Sequence, residues 1–171
     1  MFPFTESRYQ SIDLGKLTLI TRYGCEKVSK FLPEHIRAVK KTGIPVIWVC
    51  DPCHGNTEVT KQGIKTRDFE KITSELMQSF DIHTREKSRL GGVHLELTGE
   101  DVTECTGGSP QLQDHHLSEA YETFCDPRLN YTQSLDVAFA IAKQLASGRT
   151  PGFQRRFSVL KSSSSNAAQH Q

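Results

Sequence analysis

No stretch of this sequence approaches the roughly 20 consecutive apolar residues of a membrane-spanning helix, so no helical span is expected. Its opening, MFPFTESRYQ, lacks the basic-then-apolar order of a secretory signal. Excess charge is missing too. With 21 Lys and Arg against 20 Asp and Glu, the net charge is +1, and neither nucleic acid nor a membrane surface is favoured as a partner. Cysteine is present in an odd number, five, which in a chain without an export signal points to reduced thiols in the cytoplasm rather than a disulfide framework. What remains is an ordinary soluble composition, 36% hydrophobic over 171 residues, enough to bury one core.

Three short runs read as strands: KLTLITR (16–22), PVIWVC (45–50) and GGVHLELTG (91–99). The second is nearly continuous in apolar residues, the pattern of a strand buried on both faces. Between the first two, Val28, Phe31, Leu32, Ile36 and Val39 keep helical spacing, and Gly43 is placed as a stop. After the second strand, TRDFEKITSELMQSF (66–80) repeats the pattern, with Thr66 as expected N-cap and Phe69, Ile72, Leu76 and Phe80 on one stripe. A last helix is expected in NYTQSLDVAFAIAKQLASG (130–148), capped by Asn130 and Gln133, with Leu135, Ala138, Phe139, Ala142 and Leu145 on its buried side. Alternation of strand and helix implies an α/β fold with a parallel sheet or barrel. Residues 1–13 read as a leader segment, and 148–171 as a disordered serine-rich tail in which Ser158 of RRFS matches a kinase acceptor pattern.

Alternation in the third run puts Val93, Leu95 and Leu97 on one face and His94 and Glu96 on the other. Parallel β/α proteins place their sites at the carboxyl ends of strands, where Arg22, the segment 51–56 and Glu96 fall. The plain alternative is a structural ion pair between Glu96 and Arg22, with His94 a core histidine. The second strand leads into Cys50-x-x-Cys53-His54, a spacing shared by haem attachment, redox dithiols and half of a zinc site. Haem is disfavoured because Met1 and Met77 are the only methionines available as axial ligands, and closed zinc because Cys105 and Cys125 are too far apart to form a second pair. A dithiol would need exposed thiols, and Cys50 ends an apolar strand.

The segments LTLITRYG, WVCDPCHGNT, GGVHLELTGEDVTECTGG and YETFCDPRLNYTQSLDVAFAIAKQL, in this order, resemble the C-terminal part of class II 3-deoxy-D-arabino-heptulosonate 7-phosphate (DAHP) synthases over roughly residues 14–147. That resemblance implies the last three or so β/α units of a (β/α)8 barrel. It also implies condensation of phosphoenolpyruvate with erythrose 4-phosphate, the entry to aromatic amino acid biosynthesis, with a divalent metal, Mn2+ or Co2+. By motif position His54, Glu96 and Asp126 are expected as metal ligands, and Arg22 as the residue that holds phosphoenolpyruvate. Asp51 could orient His54, and Arg128 could brace Asp126.

The family's remaining ligand, a cysteine, and most of its phosphate-binding residues lie upstream of the matched region. Cys53 stands where methionine is usual, and Ala120 where arginine is common. The expectation is therefore a fragment with little activity alone, forming homo-oligomers or associating with full-length synthase. A non-catalytic fragment that binds intact synthase subunits is the alternative.

Overall fold

A computed structural model describes residues 15–147. The expected leader, the serine-rich tail and Ser158 lie outside the described residues. The chain divides into two compact units within its last helix, the first ending at Val137 and the second beginning at Ala138.

The elements run β1 (Thr18–Thr21), α1 (Val28–Thr42), β2 (Ile47–Cys50), β3 (Thr57–Val59), β4 (Lys65–Arg67), α2 (Phe69–Arg85), β5 (Leu90–Val93) and α3 (Tyr131–Ser147). Strands β1, β2 and β5 form a parallel sheet in that order, with Thr18 opposite Ile47 and Cys50 opposite Val93. The expected α/β alternation with a parallel sheet is therefore what forms. Strands β3 and β4 make a separate antiparallel hairpin that no expectation covered.

Helix α1 buries Val28, Leu32 and Ile36, the i, i+4, i+8 stripe, against Trp48 of β2 and Ile82 of α2. Burial of each such side chain contributes about 1.5–3 kcal/mol. Gly43 closes α1 at φ 69°, a left-handed conformation that favours glycine at this end. Phe31, expected inside, lies at the rim, its ring stacked on Tyr23 with centroids 6.2 Å apart.

Three further local expectations are corrected. Thr66 lies in β4, and α2 is capped instead by Asp68, whose carboxylate accepts from the Lys71 amide at 3.0 Å. Strand β2 is buried on one face only: Trp48 and Cys50 are inside, while Ile47 is 37% exposed. The third strand ends at Val93, not at residue 99. Beyond it the His94 amide still reaches the Cys50 carbonyl, but the chain then turns to pair Leu97 with Leu129, leaving Leu97 exposed.

Helix α3 starts as expected, with reciprocal bonds from the Gln133 amide to Asn130 Oδ1 (2.9 Å) and from the Asn130 amide to Gln133 Oε1 (3.2 Å). Its apolar stripe does not face inward, however. Gln133 is drawn in by that cap and by the Cys105 and Gly107 carbonyls, and Val137 follows it one turn later. Leu135, two positions and about 200° around the helix from Gln133, is thereby turned outward. In the second unit, Phe139 and Leu145 are also exposed.

Candidate metal centre

The turn after β2 is built on Asp51. Its Oδ1 accepts from the amides of Cys53 and His54, each at 3.1 Å, and its Oδ2 lies 2.6 Å from His54 Nδ1. A carboxylate at that distance holds the imidazole proton on Nδ1 and leaves the lone pair on Nε2. His54 Nε2 faces Glu96 Oε1 at 3.4 Å and Asp126 Oδ2 at 3.5 Å.

Glu96 reaches this point because the segment after β5 bends toward the loop at 126–129. The Leu129 amide donates to the Glu96 carbonyl (3.0 Å), and the Thr98 amide to the Leu129 carbonyl (2.9 Å). That loop is shaped from beneath by Glu104, which is wholly buried. Glu104 accepts from the amides of Thr123 and Arg128 at 2.9 and 2.7 Å, and from the Arg128 guanidinium at 2.6 and 3.0 Å. Burial pushes the Glu104 carboxyl up, but Arg128 and these amides outweigh it and hold it below the usual carboxylate range. Arg128 thus pairs with Glu104 rather than bracing Asp126.

The residue that joins the two carboxylates is Arg67, at the end of the hairpin and fully buried. Its Nε donates to Thr57 Oγ1 at 2.9 Å and its Nη2 to Asp126 Oδ2 at 3.3 Å, while Nη1 donates to Glu96 Oε2 and to the Pro127 carbonyl. Lys65, on the same strand, binds Asp126 Oδ1, and this hydrogen bond holds the Asp126 carboxyl below its ordinary value. Neither basic residue was among the expected site residues. The signal available was faint: Gly63, at φ 83°, marks a turn just before KTR.

Arg22 is exposed at the end of β1 and makes no hydrogen bond or ion pair with the described residues. His94 is exposed beside His54, with ring centroids 6.3 Å apart. Cys50 and Cys53 are both fully buried; burial pushes their thiols up to about 12 and about 11, which leaves no reactive dithiol.

Among the described residues, His54, Glu96 and Asp126 form the one group of three or more His, Cys, Asp or Glu able to hold a metal ion, their ligand atoms all within 4.8 Å of one another. One oriented imidazole with two carboxylates suits a first-row divalent ion. A family model described as the class-II DAHP synthetase family matches residues 10–142. The chain belongs to the class-II DAHP synthetase family. Within that family it is 51% identical over 144 residues to a phospho-2-dehydro-3-deoxyheptonate aldolase of Neurospora crassa, covering 83% of this chain and 30% of that protein. A protein of the same description from Mycolicibacterium smegmatis is 50% identical over 131 residues, covering 77% and 28%. A third, from Streptomyces coelicolor, is 46% identical over 129 residues, covering 75% and 29%. The chain thus spans under a third of the length of these synthetase relatives.

Proposed function

We propose that the chain supplies the metal-binding portion of a 3-deoxy-7-phosphoheptulonate synthase, a cytoplasmic transferase that condenses phosphoenolpyruvate with erythrose 4-phosphate toward the aromatic amino acids. The observation that carries this reading is the convergence of His54, Glu96 and Asp126 in a chain of this family. In it, β1, β2 and β5 with their helices are three consecutive units of a (β/α)8 barrel, residues 14–147 being the barrel segment.

His54, Glu96 and Asp126 hold a divalent ion, Mn2+ or Co2+, and Asp51 keeps His54 Nε2 turned toward it. The ion when bound acts as a Lewis acid on the erythrose 4-phosphate aldehyde. Arg22, free at the end of β1, holds phosphoenolpyruvate through paired hydrogen bonds to its phosphate or carboxylate.

The test mixes this chain with the part of the Neurospora relative outside the matched region and follows metal-dependent loss of phosphoenolpyruvate. Activity is expected with the wild-type chain and is lost in H54A; no activity at any metal or mixing ratio defeats the reading.

A second reading is a non-catalytic partner of intact synthase subunits. It is favoured by the sheet itself, in which β1 and β5 are both edges among the described residues. Co-elution with a full-length homologue on size exclusion supports it, and strictly separate elution counts against it. A chain that associates only with its own copies is the homo-oligomer outcome of the same experiment.

A further inference from the structure

We propose that Arg67 sets which ion the centre takes, by leaving Glu96 one oxygen for a cation and so favouring a small first-row ion over calcium. The inference rests on the metal-centre reading above. On Glu96 the two oxygens are already divided: Oε1 faces His54 Nε2, and Oε2 is bound by Arg67. On Asp126, Oδ2 lies within 3.5 Å of His54 Nε2 and 3.3 Å of Arg67 Nη2, while Oδ1 is bound by Lys65.

For either carboxylate to chelate an ion with both oxygens, a bond to a cation has to break. Lys65 is 44% exposed and can swing into solvent at little cost. Arg67 cannot. Its side chain is 0% exposed, and Thr57 and the Pro127 carbonyl fix its plane from other directions. Freeing Glu96 Oε2 would leave a buried guanidinium hydrogen without a partner, which is more costly than the loss of an exposed bond.

Calcium prefers six to eight oxygens and commonly takes a bidentate carboxylate, whereas manganese and cobalt accept fewer protein ligands and a nitrogen donor. A centre in which Glu96 is limited to one oxygen, beside one imidazole nitrogen and Asp126, therefore discriminates by ligand number. Arg67 acts here as a positioning residue: it touches the carboxylates and not the ion. Arg67 lies outside every segment expected to bear on the site, and β3 returns the chain so that Thr57 stands opposite it.

The test measures binding of Mn2+ by electron paramagnetic resonance, with Ca2+ as competitor, on the whole chain and on its R67K and R67M variants, each checked for folding by circular dichroism. The wild type is expected to prefer Mn2+. In R67M that preference falls by roughly tenfold or more, because Glu96 is free to chelate with both oxygens. In R67K it falls less, since an ammonium can keep one bond to Glu96 although it lacks the fork that holds two carboxylates. An arginine with only a structural role changes stability and leaves the ratio of the two affinities alone. An unchanged ratio in both variants, or in R67K where R67M does not fold, overturns the proposal while leaving the metal centre standing. Failure of the wild type to bind Mn2+ overturns the metal-centre reading and this inference with it.

Discussion

At the scale of single residues, Asp51 carries the most weight for its size. One oxygen shapes the turn by accepting two amides, and the other orients His54. D51N keeps an oxygen for the amides but weakens the bond to Nδ1, so Mn2+ affinity is expected to fall 10- to 100-fold with the circular dichroism spectrum unchanged. Equal affinity in titrations of D51N and wild type would show that His54 needs no such partner. The cysteines lend themselves to a second measurement. Cys25 and Cys125 are the accessible thiols, whereas Cys50, Cys53 and Cys105 are fully buried, with burial pushing them up to about 12, about 11 and about 12. A maleimide is expected to label two thiols in the native chain and all five after denaturation; labelling of Cys53 in the native state would contradict this packing. The grouping of His54, Glu96 and Asp126 was legible because each sits in a long motif. Glu104 was not, because what makes it matter is burial plus donors from residues 122–128, and nothing in VTECTGG announces either.

At the scale of elements, the legible parts were those with a repeating period. Helix α1 could be read from its stripe and from Gly43, and β1 and β2 from their apolar runs. The hairpin could not, since two strands of three residues carry too little alternation to stand out, and yet it delivers Arg67 and Lys65. The run 93–98 misled in the opposite sense: a clean alternation ended as loop because pairing with Leu129 displaced pairing with β2. Between elements, the turns after β1 and β2 are tied together by Glu75 of α2, which is wholly buried. Its carboxylate accepts from the Tyr23 amide at 2.9 Å and from Asn56 Nδ2 at 2.8 Å, and Asn56 in turn accepts from the Cys25 amide at 2.9 Å. Burial pushes the Glu75 carboxyl up from its ordinary value. E75Q keeps the shape but replaces one acceptor by a donor that faces another donor. A loss of about 1–3 kcal/mol is expected in urea unfolding. A stability equal to wild type would mean that the two turns hold their positions without this brace.

At the scale of the whole molecule, acid stability and exposed surface both follow from what is inside and what is not. His83 is buried against Trp48 with Nε2 unpartnered, and desolvation lowers it to about 4. Because the folded state resists the proton that the unfolded chain accepts near pH 6.5, the His83 contribution is full above that pH and is lost as pH falls toward 4. The drop is on the order of 2–3 kcal/mol, and H83F is expected to flatten the unfolding midpoint over this window. Below it, Glu104 acts in the same direction, since its carboxyl is held low and must be protonated as the fold is lost. The sheet presents the opposite problem. Its helix-facing side is filled by Trp48 and Cys50, but on the other side Ile20 is 55% and Ile47 37% exposed, with β1 and β5 as its edges among the described residues. Apolar side chains next to unpaired backbone favour association of strands or sheet faces. The isolated chain is therefore expected to self-associate in sedimentation velocity, and I20K, which sets a charge in the middle of that face, to weaken association at least about tenfold, roughly 1.4 kcal/mol. A monomer at all concentrations, or an I20K variant that associates as strongly as wild type, would show that the exposed sheet face is not what draws the chains together.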